Sequence, residues 1–499
     1  MKIKDFIKKH HFFLICAGIT AMHLIYSIRV SGRQSLAFDE ICEIGFIAKG
    51  NSWGQILKYF LTIEITNLPL FPLIAALWYR LVPWGQESLL LLTELMTAAG
   101  IMVLAYTGRR LKSERMGYLT AAVSVISSTL ILRCDMEFRC YAFLFLTLAV
   151  ALYFYVVRIQ TSRCDSRPME IKYAIALLFL AYSHYFGCLV IVALFIGDFF
   201  LFLSKRISIK FIFPYIFAGA LLLPWFVAML AFKEKSLLDF WPTPPILGDI
   251  PEALRFVLSN DEPIYVLFLI AMIAFLINGI VRIRKKDFQV VRDYFPLVLI
   301  GTIWFIIGIA FIYSTKINPS GGIWVSKYFI SLFPAEVLLV SLILNFFIEK
   351  SAGLFTMKEG QVCGIVVAFL LLYFGVGNYY YDVKESLEKP LDPFREVWQY
   401  LNNQEDIDQA GTGVLVALTD APMLGFREYY AEHDRAPGSV RFISFKAEDV
   451  QEQMEDCDTL YVFNVRNWID RDETVNLNFD NFKMVEKDSD LYLSKYVKK

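Results

Sequence analysis

Two adjacent carboxylates, Asp39 and Glu40, stand in the stretch QSLAFDEICEIGF (34–46), just after the first long apolar run. Ionised groups in such sequence are costly to keep and tend to mark function. Apolar residues at 41, 44, 47 and 48 have helical spacing. Asp39 would therefore also cap or begin a short helix, and capping alone is a sufficient structural use for it. Other polar groups recur between later apolar runs: Asp135, Glu137 and Arg139 before Tyr141; His184 and Tyr185 after Tyr182; Lys233, Lys235 and Arg255; Lys316; and Lys327 beside Tyr328. A carboxylate among cations and aromatic rings suits one chemistry well. The carboxylate takes the proton of an attacking hydroxyl while the cations stabilise a departing phosphate. The rings can carry a sugar face or a lipid. Glycoside hydrolysis would need a second, protonating carboxylic acid, whereas a sugar phosphate already has a good leaving group.

Each residue also has a plainer use. His184 can pack at the end of a span, Lys233 and Lys235 can snorkel to headgroups, and Arg139 can clamp onto Glu137 or Asp135. Only a shared side of a membrane raises the joint reading above the separate ones, so the elements that place these residues decide the matter.

The 499 residues are 57% hydrophobic and 16% aromatic, with mean hydropathy +0.49. Repeated long apolar runs of this kind define a polytopic α-helical membrane protein. The net charge of −1 hides an asymmetry: 24 acidic and 34 basic residues precede Asp382, and 25 acidic and 14 basic follow from it. A membrane unit over 1–381 and an acidic unit over 382–499 are expected. The basic residues lie in short clusters between apolar runs, a topology signal and not a nucleic-acid surface.

Lys2, Lys4, Lys8 and Lys9 place the N-terminus in the cytoplasm, and GRRLKSER (108–115) and RIRKKD (282–287) must return there. Eleven spans satisfy every cluster: about 12–30, 88–107, 116–133, 140–157, a short one over about 171–182 that reaches SHYFG outside, one ending at Lys205 and Arg206, about 211–230, one returning to RIRKKD, about 294–313, one ending near Glu349 and Lys350, and about 361–379. The first external loop is then 31–87 and a further one is 231–262. NLPLFPLIAALWYRLVPWG (67–85) is apolar enough for a short span, but crossing there would turn GRRLKSER outward, so an interfacial helix within the first loop is expected. The N-terminal run lacks a small-residue cleavage site and reads as a retained span. The eight cysteines have no metal-ligand spacing and read as apolar filler. The tail alternates helix patterns (FREVWQYLNN, PMLGFREYYAEH, AEDVQEQMED) with strand patterns (GVLVALTD, VRFISF, TLYVFNV, the last residues). This is the rhythm of a small α/β domain outside the membrane, without a glycine-rich phosphate fingerprint.

In order along the chain these segments resemble the GT-C superfamily of polytopic glycosyltransferases, in particular the bacterial family 39 type related to protein O-mannosyltransferases and the lipid A aminoarabinose transferase. FDE (38–40) is similar to its first-loop acidic motif, NLPLFPLIAALW to its HPPLY…LW segment, and EFRCY (137–141) to its second-loop motif. AYSHYFG, WVSKYFISLFPA and PFREVWQYLNN are similar to later segments. The resemblance implies inverting transfer of a sugar from a polyprenyl-phosphate-linked donor to an acceptor outside the cytoplasmic membrane. It makes Asp39 the catalytic base, Glu40 its helper, and Glu137, Arg139 and Tyr141 residues of the same cavity. Lys233, Lys235 or Arg255 would hold donor phosphate.

Some positions depart from the family pattern. Asn67, Leu68 and Pro69 replace a basic residue and two prolines, so a phosphate contact is missing at Asn67. Lys327 replaces an arginine before Tyr328 and loses the bidentate fork. No metal-ligand set stands out; the one pair open to a divalent cation is His184 with Glu137. Expected partners are the lipid-linked donor, the bilayer, and a glycolipid, polymer or protein acceptor. The competing reading is a flippase or transporter of lipid-linked sugars, which predicts inverted repeats and mid-bilayer acids; a structural assembly subunit is a third.

Overall fold

The computed structural model describes residues 3–33, 35–62, 68–82, 85–160, 167–232, 262–285, 294–317, 326–354, 358–378, 383–384, 387, 392–418, 420–445, 447–465 and 477–499. The expected spans overlap helices, the third of them a bent pair. These are α1 (Ile3–Ser31), α5 (Gln86–Leu111), α6 (Glu114–Val125) with its continuation, α8 (Tyr141–Gln160), α9 (Arg167–Ala181), α10 (Tyr185–Leu203) and α11 (Phe213–Phe232). Helices Glu262–Arg284, Phe295–Ile317, Phe333–Leu354 and Glu359–Asn378 follow. Among the described residues five helices are long and apolar enough to cross a membrane by length and composition, six if one bent pair counts as a span.

Two boundaries differ from expectation. Helix α1 starts at Ile3, so Lys4, Lys8 and Lys9 belong to the helix itself. The expected straight span 116–133 is broken: α6 ends at Val125, and Ser128–Asp135, which includes α7 (Ser128–Leu130) and a π turn, leaves it at 59°. Ser127 and Ser128 mark the kink, as small polar residues often do.

The bundle centres on α8, apolar on all sides and mostly buried. It lies tightly against α5, because a Cβ on Gly100 would collide with the Phe145 ring. The outer helices leave large apolar side chains exposed, among them Phe200, Leu223 and Ile277, as a lipid-facing surface requires.

Several of the charged residues expected to flank spans meet in ion pairs. Glu114 meets both Arg109 (2.6 Å) and His11 (2.9 Å), and Glu349 receives Lys112 and Arg115. Arg158, expected as a flanking charge, is instead fully buried with Glu170 and Asp198, because the helix carries it inside. Between α1 and α5 lie three short helices, α2 (Phe38–Phe46), α3 (Trp53–Thr62) and α4 (Leu70–Leu81). With 12 residues, α4 is about 18 Å long, short of the ~30 Å hydrocarbon core.

The tail folds as its patterns predict. Helix Phe394–Asn402 leads to β1 (Thr412–Val416), β2 (Arg441–Ser444) and β3 (Thr459–Phe463), then β4 (Phe482–Asp488) and β5 (Leu493–Lys498). The sheet order is β2-β1-β3-β5-β4, parallel over the first three strands and antiparallel over the last two. Every residue of β1 is buried, as a central parallel strand requires. The edge strand β4 exposes Lys483, Glu486 and Lys487, charges that block edge pairing.

Candidate active site

The sequence of α2 sets the site. Ile41, Ile44 and Ile47 face the core completely, and two acids occupy the first turn, where the helix dipole favours them. The N-cap is Ala37, which has no acceptor side chain. Of the two expected uses of Asp39, capping or beginning the helix, it has the second: it lies in the first turn, and the third helical residue does the capping. Glu40 accepts the Ala37 N–H at 2.6 Å with one carboxylate oxygen and the Phe138 N–H at 2.5 Å with the other. It is 3% exposed, and burial pushes its carboxyl up to about 8 against the pull of those two amides. Glu40 thus ties α2 to the 136–140 loop.

Asp39 is left for other work. Its side chain is 46% exposed and its Oδ2 lies 3.0 Å from Lys327 Nζ. Lys327 comes from a 3-10 turn, Ser326–Ser331, entering the helix Phe333–Leu354. Its ammonium also sits 5.5 Å from the centre of the Tyr141 ring, a cation–π contact. Around the pair the rings of Tyr141, Tyr328, His184 and Phe186 form a wall: Tyr328 is 4.9 Å from His184, 5.1 Å from Phe186 and 6.4 Å from Tyr141. His184 caps α10, its Nδ1 accepting the Phe186 N–H. With that nitrogen an acceptor, the neutral ring carries its proton on Nε2. Burial first, then Arg139 and Lys327, push the imidazole down to about 3.

Arg139, for which a clamp onto Glu137 or Asp135 is the plainer alternative, donates to the Asp39 carbonyl at 3.0 Å and pairs with Glu43 at 3.3 Å. Glu137 turns away to Arg133 at 2.9 Å, the favourable one-turn spacing. Asp135 is buried against His23 of α1 at 2.8 Å, which anchors the loop from beneath. With Glu137 on Arg133 and His184 Nδ1 on an amide, the pair suggested for a divalent cation is engaged elsewhere. Tyr185 stands at the start of α10, its ring 6.0 Å from that of Phe226. Asn67, Lys233, Lys235 and Arg255 lie outside the described residues.

Two acids of the site escaped sequence reasoning. Glu43 sits one turn after Asp39 in an apolar helix, and that spacing was a usable signal. Asp392 accepts the Phe38 N–H at 2.8 Å from 354 residues away. In the run LDPFREVW it reads as a cap for its own helix, so nothing local marks this partner.

An apolar bundle thus carries a layer of short helices and a mixed sheet, with a half-exposed carboxylate facing a lysine among aromatic rings. No family model matches the sequence, and no curated protein does. Among solved structures, the chain is similar to ArnT from Cupriavidus metallidurans bound to undecaprenyl phosphate, with TM-score 0.57 at 11% identity over 98% of each chain. The apo state of ArnT from the same organism gives TM-score 0.59 at 12% identity, again over 98% of each. An oligosaccharyltransferase from Archaeoglobus fulgidus, solved with Zn and sulfate, matches at TM-score 0.45 and 11% identity, over 89% of this chain and 67% of that one.

Proposed function

We propose that the chain is an integral-membrane glycosyltransferase. It moves a sugar from a polyprenyl-phosphate-linked donor to an acceptor hydroxyl at the outer face of the cytoplasmic membrane, with inversion and with Asp39 as general base. The unit over 382–499 then lies outside the membrane and the N-terminus inside. The observation that carries this reading is the half-exposed Asp39 carboxylate paired with the largely buried Lys327 beside the aromatic wall. The overall likeness to a protein solved with undecaprenyl phosphate supports the donor class.

The chemistry follows from how the pair is placed. Asp39 is nearly half exposed while Lys327 is 17% exposed, so a donor phosphate that reaches the pair competes with the Asp39 carboxylate for the lysine. Lys327 then stabilises the phosphate charge, which frees the Asp39 carboxylate. The acceptor hydroxyl gives its proton to Asp39 as its oxygen bonds the anomeric carbon. The bond from that carbon to the phosphate oxygen breaks, and polyprenyl phosphate leaves with the electron pair. Attack opposite the leaving group inverts the centre. Tyr328 and Tyr185 supply faces for the sugar and the lipid, the buried Tyr141 backs Lys327 through its cation–π contact, and Arg139 steadies the base through its backbone. Lys233, Lys235 and Arg255 are further phosphate contacts in this reading, standing in for the cation absent at Asn67.

The test uses full-length protein in lipid nanodiscs with synthetic undecaprenyl-phosphate hexoses and pentoses and an envelope lipid extract. Release of undecaprenyl phosphate with a glycosylated product supports the reading. Movement of intact donor between leaflets of proteoliposomes, with no product, would establish the flippase instead.

A further inference from the structure

A helix that carries a general base must hold it still, and much of what holds α2 comes from the far end of the chain. Its first amide, Phe38 N–H, donates to Asp392 Oδ2 at 2.8 Å. Just before it, Ser35 Oγ accepts the Arg395 N–H at 3.1 Å, and Arg395 also donates to the Arg33 carbonyl. Beyond its C-terminal end, the Lys49 N–H donates to Glu428 Oε1 at 2.8 Å. Between these points the helix Asp420–Phe426 crosses α2 at Gly425. A Cβ there would fall on the Ile41 carbonyl oxygen and 3.0 Å from the Gly45 nitrogen, so even alanine must push the helices apart. Ile41 is two residues from Asp39.

The membrane bundle holds the first turn of α2 through Glu40 and Arg139. The C-terminal unit holds its first amide, its middle and its exit. We propose, resting on the reading of Asp39 as base, that the C-terminal α/β unit is a working part of the catalytic site. It aims the Asp39 carboxylate, with Asp392 and Gly425 as positioning residues. Catalytic groups must sit within about 0.5 Å and 10–20° of productive geometry. Asp392 fixes where α2 starts, and the missing side chain at position 425 lets the two helices approach closely enough for that bond to form.

The experiment compares full-length D392A, D392N, G425A and D39N with wild type in nanodiscs. It reads kcat and KM for an undecaprenyl-phosphate sugar that is turned over, and the affinity for undecaprenyl phosphate alone. D392A and G425A are expected to lower kcat by about 10- to 100-fold, the scale of a misplacement near 1 Å. D392N keeps a carbonyl oxygen to accept the Phe38 N–H and should recover most of the rate. Affinity for undecaprenyl phosphate should not fall in any of the three, because the lipid phosphate competes with Asp39 for Lys327 and does not need the base aimed. Full rate in both D392A and G425A, with D39N inactive, overturns the positioning role alone. A loss of lipid affinity as large as the loss of kcat overturns it too, since the unit would then serve binding. Transfer that survives in D39N overturns the underlying base instead. If D392A does not fold, G425A decides the question, because it removes no polar contact.

Discussion

Two clusters of opposite charge sit in this molecule, and they are built in opposite ways. In the first, Arg158 lies between Glu170 at 2.7 Å and Asp198 at 2.5 Å. Tyr215 donates to Asp198 at 2.7 Å, and the guanidinium sits 4.9 Å from the Tyr173 ring centre. Arg158 and Asp198 are fully buried and Glu170 nearly so. In the second, Asp39 faces Lys327 and is nearly half exposed. The closed cluster leaves no room for a substrate and breaking it would strand a buried charge, so it joins α8, α9 and α10. The open pair can be exchanged for a ligand's charge. Burial and closure, more than the presence of acids and bases, separate scaffold from chemistry.

Substitutions can break that contrast. D39N should lower transfer by about 10²–10⁴-fold, the usual worth of a positioned general base, with the melting temperature unchanged; activity in nanodiscs beside a melting curve checks both. R158A should do the reverse: about 3–5 kcal/mol of stability lost from stranding buried acids, read as a lower denaturant midpoint, with normal transfer per folded molecule. K327A should weaken undecaprenyl phosphate binding by about tenfold, the scale of 1.4 kcal/mol, and K327R should restore affinity because the charge is kept. The smallest effect concerns Glu40. Its carboxyl is raised from 4.5 to about 8 by burial, so between those values the folded chain binds more protons than the unfolded one. Raising pH through that window therefore removes stability. Melting temperature should fall from pH 5 to 8 in wild type more steeply than in E40Q, whose side chain cannot titrate.

Much of this was legible in the sequence, for identifiable reasons. Long apolar runs and flanking lysines specify a bundle whatever its packing, and the expected spans overlap helices. Period-two and helical patterns in the tail gave its strands and helices nearly to the residue, because each buries its own apolar face. Asp39, Lys327, Tyr141, Tyr328 and His184 were gathered by side of the membrane alone, and they do converge. Pairing was the part that did not show. Whether Arg139 meets Glu43, Glu137 or Asp135 depends on the turn of a five-residue loop. Glu40 as the capping acid follows from helix phase within one residue. Asp392 on Phe38 depends on how two distant parts of the chain dock. The break of α6 at Ser127 also lay beyond hydropathy, which reads a bent pair and a straight span alike.

The central claim is that Lys327 passes from Asp39 to the donor phosphate, leaving Asp39 to take the proton. Undecaprenyl phosphate affinity and sugar transfer, measured on one preparation of D39N beside wild type, test it most directly. D39N should bind the lipid phosphate more tightly than wild type, because its lysine has no carboxylate to leave, while transferring almost nothing. A D39N protein that binds no better and transfers sugar at the wild-type rate would contradict it.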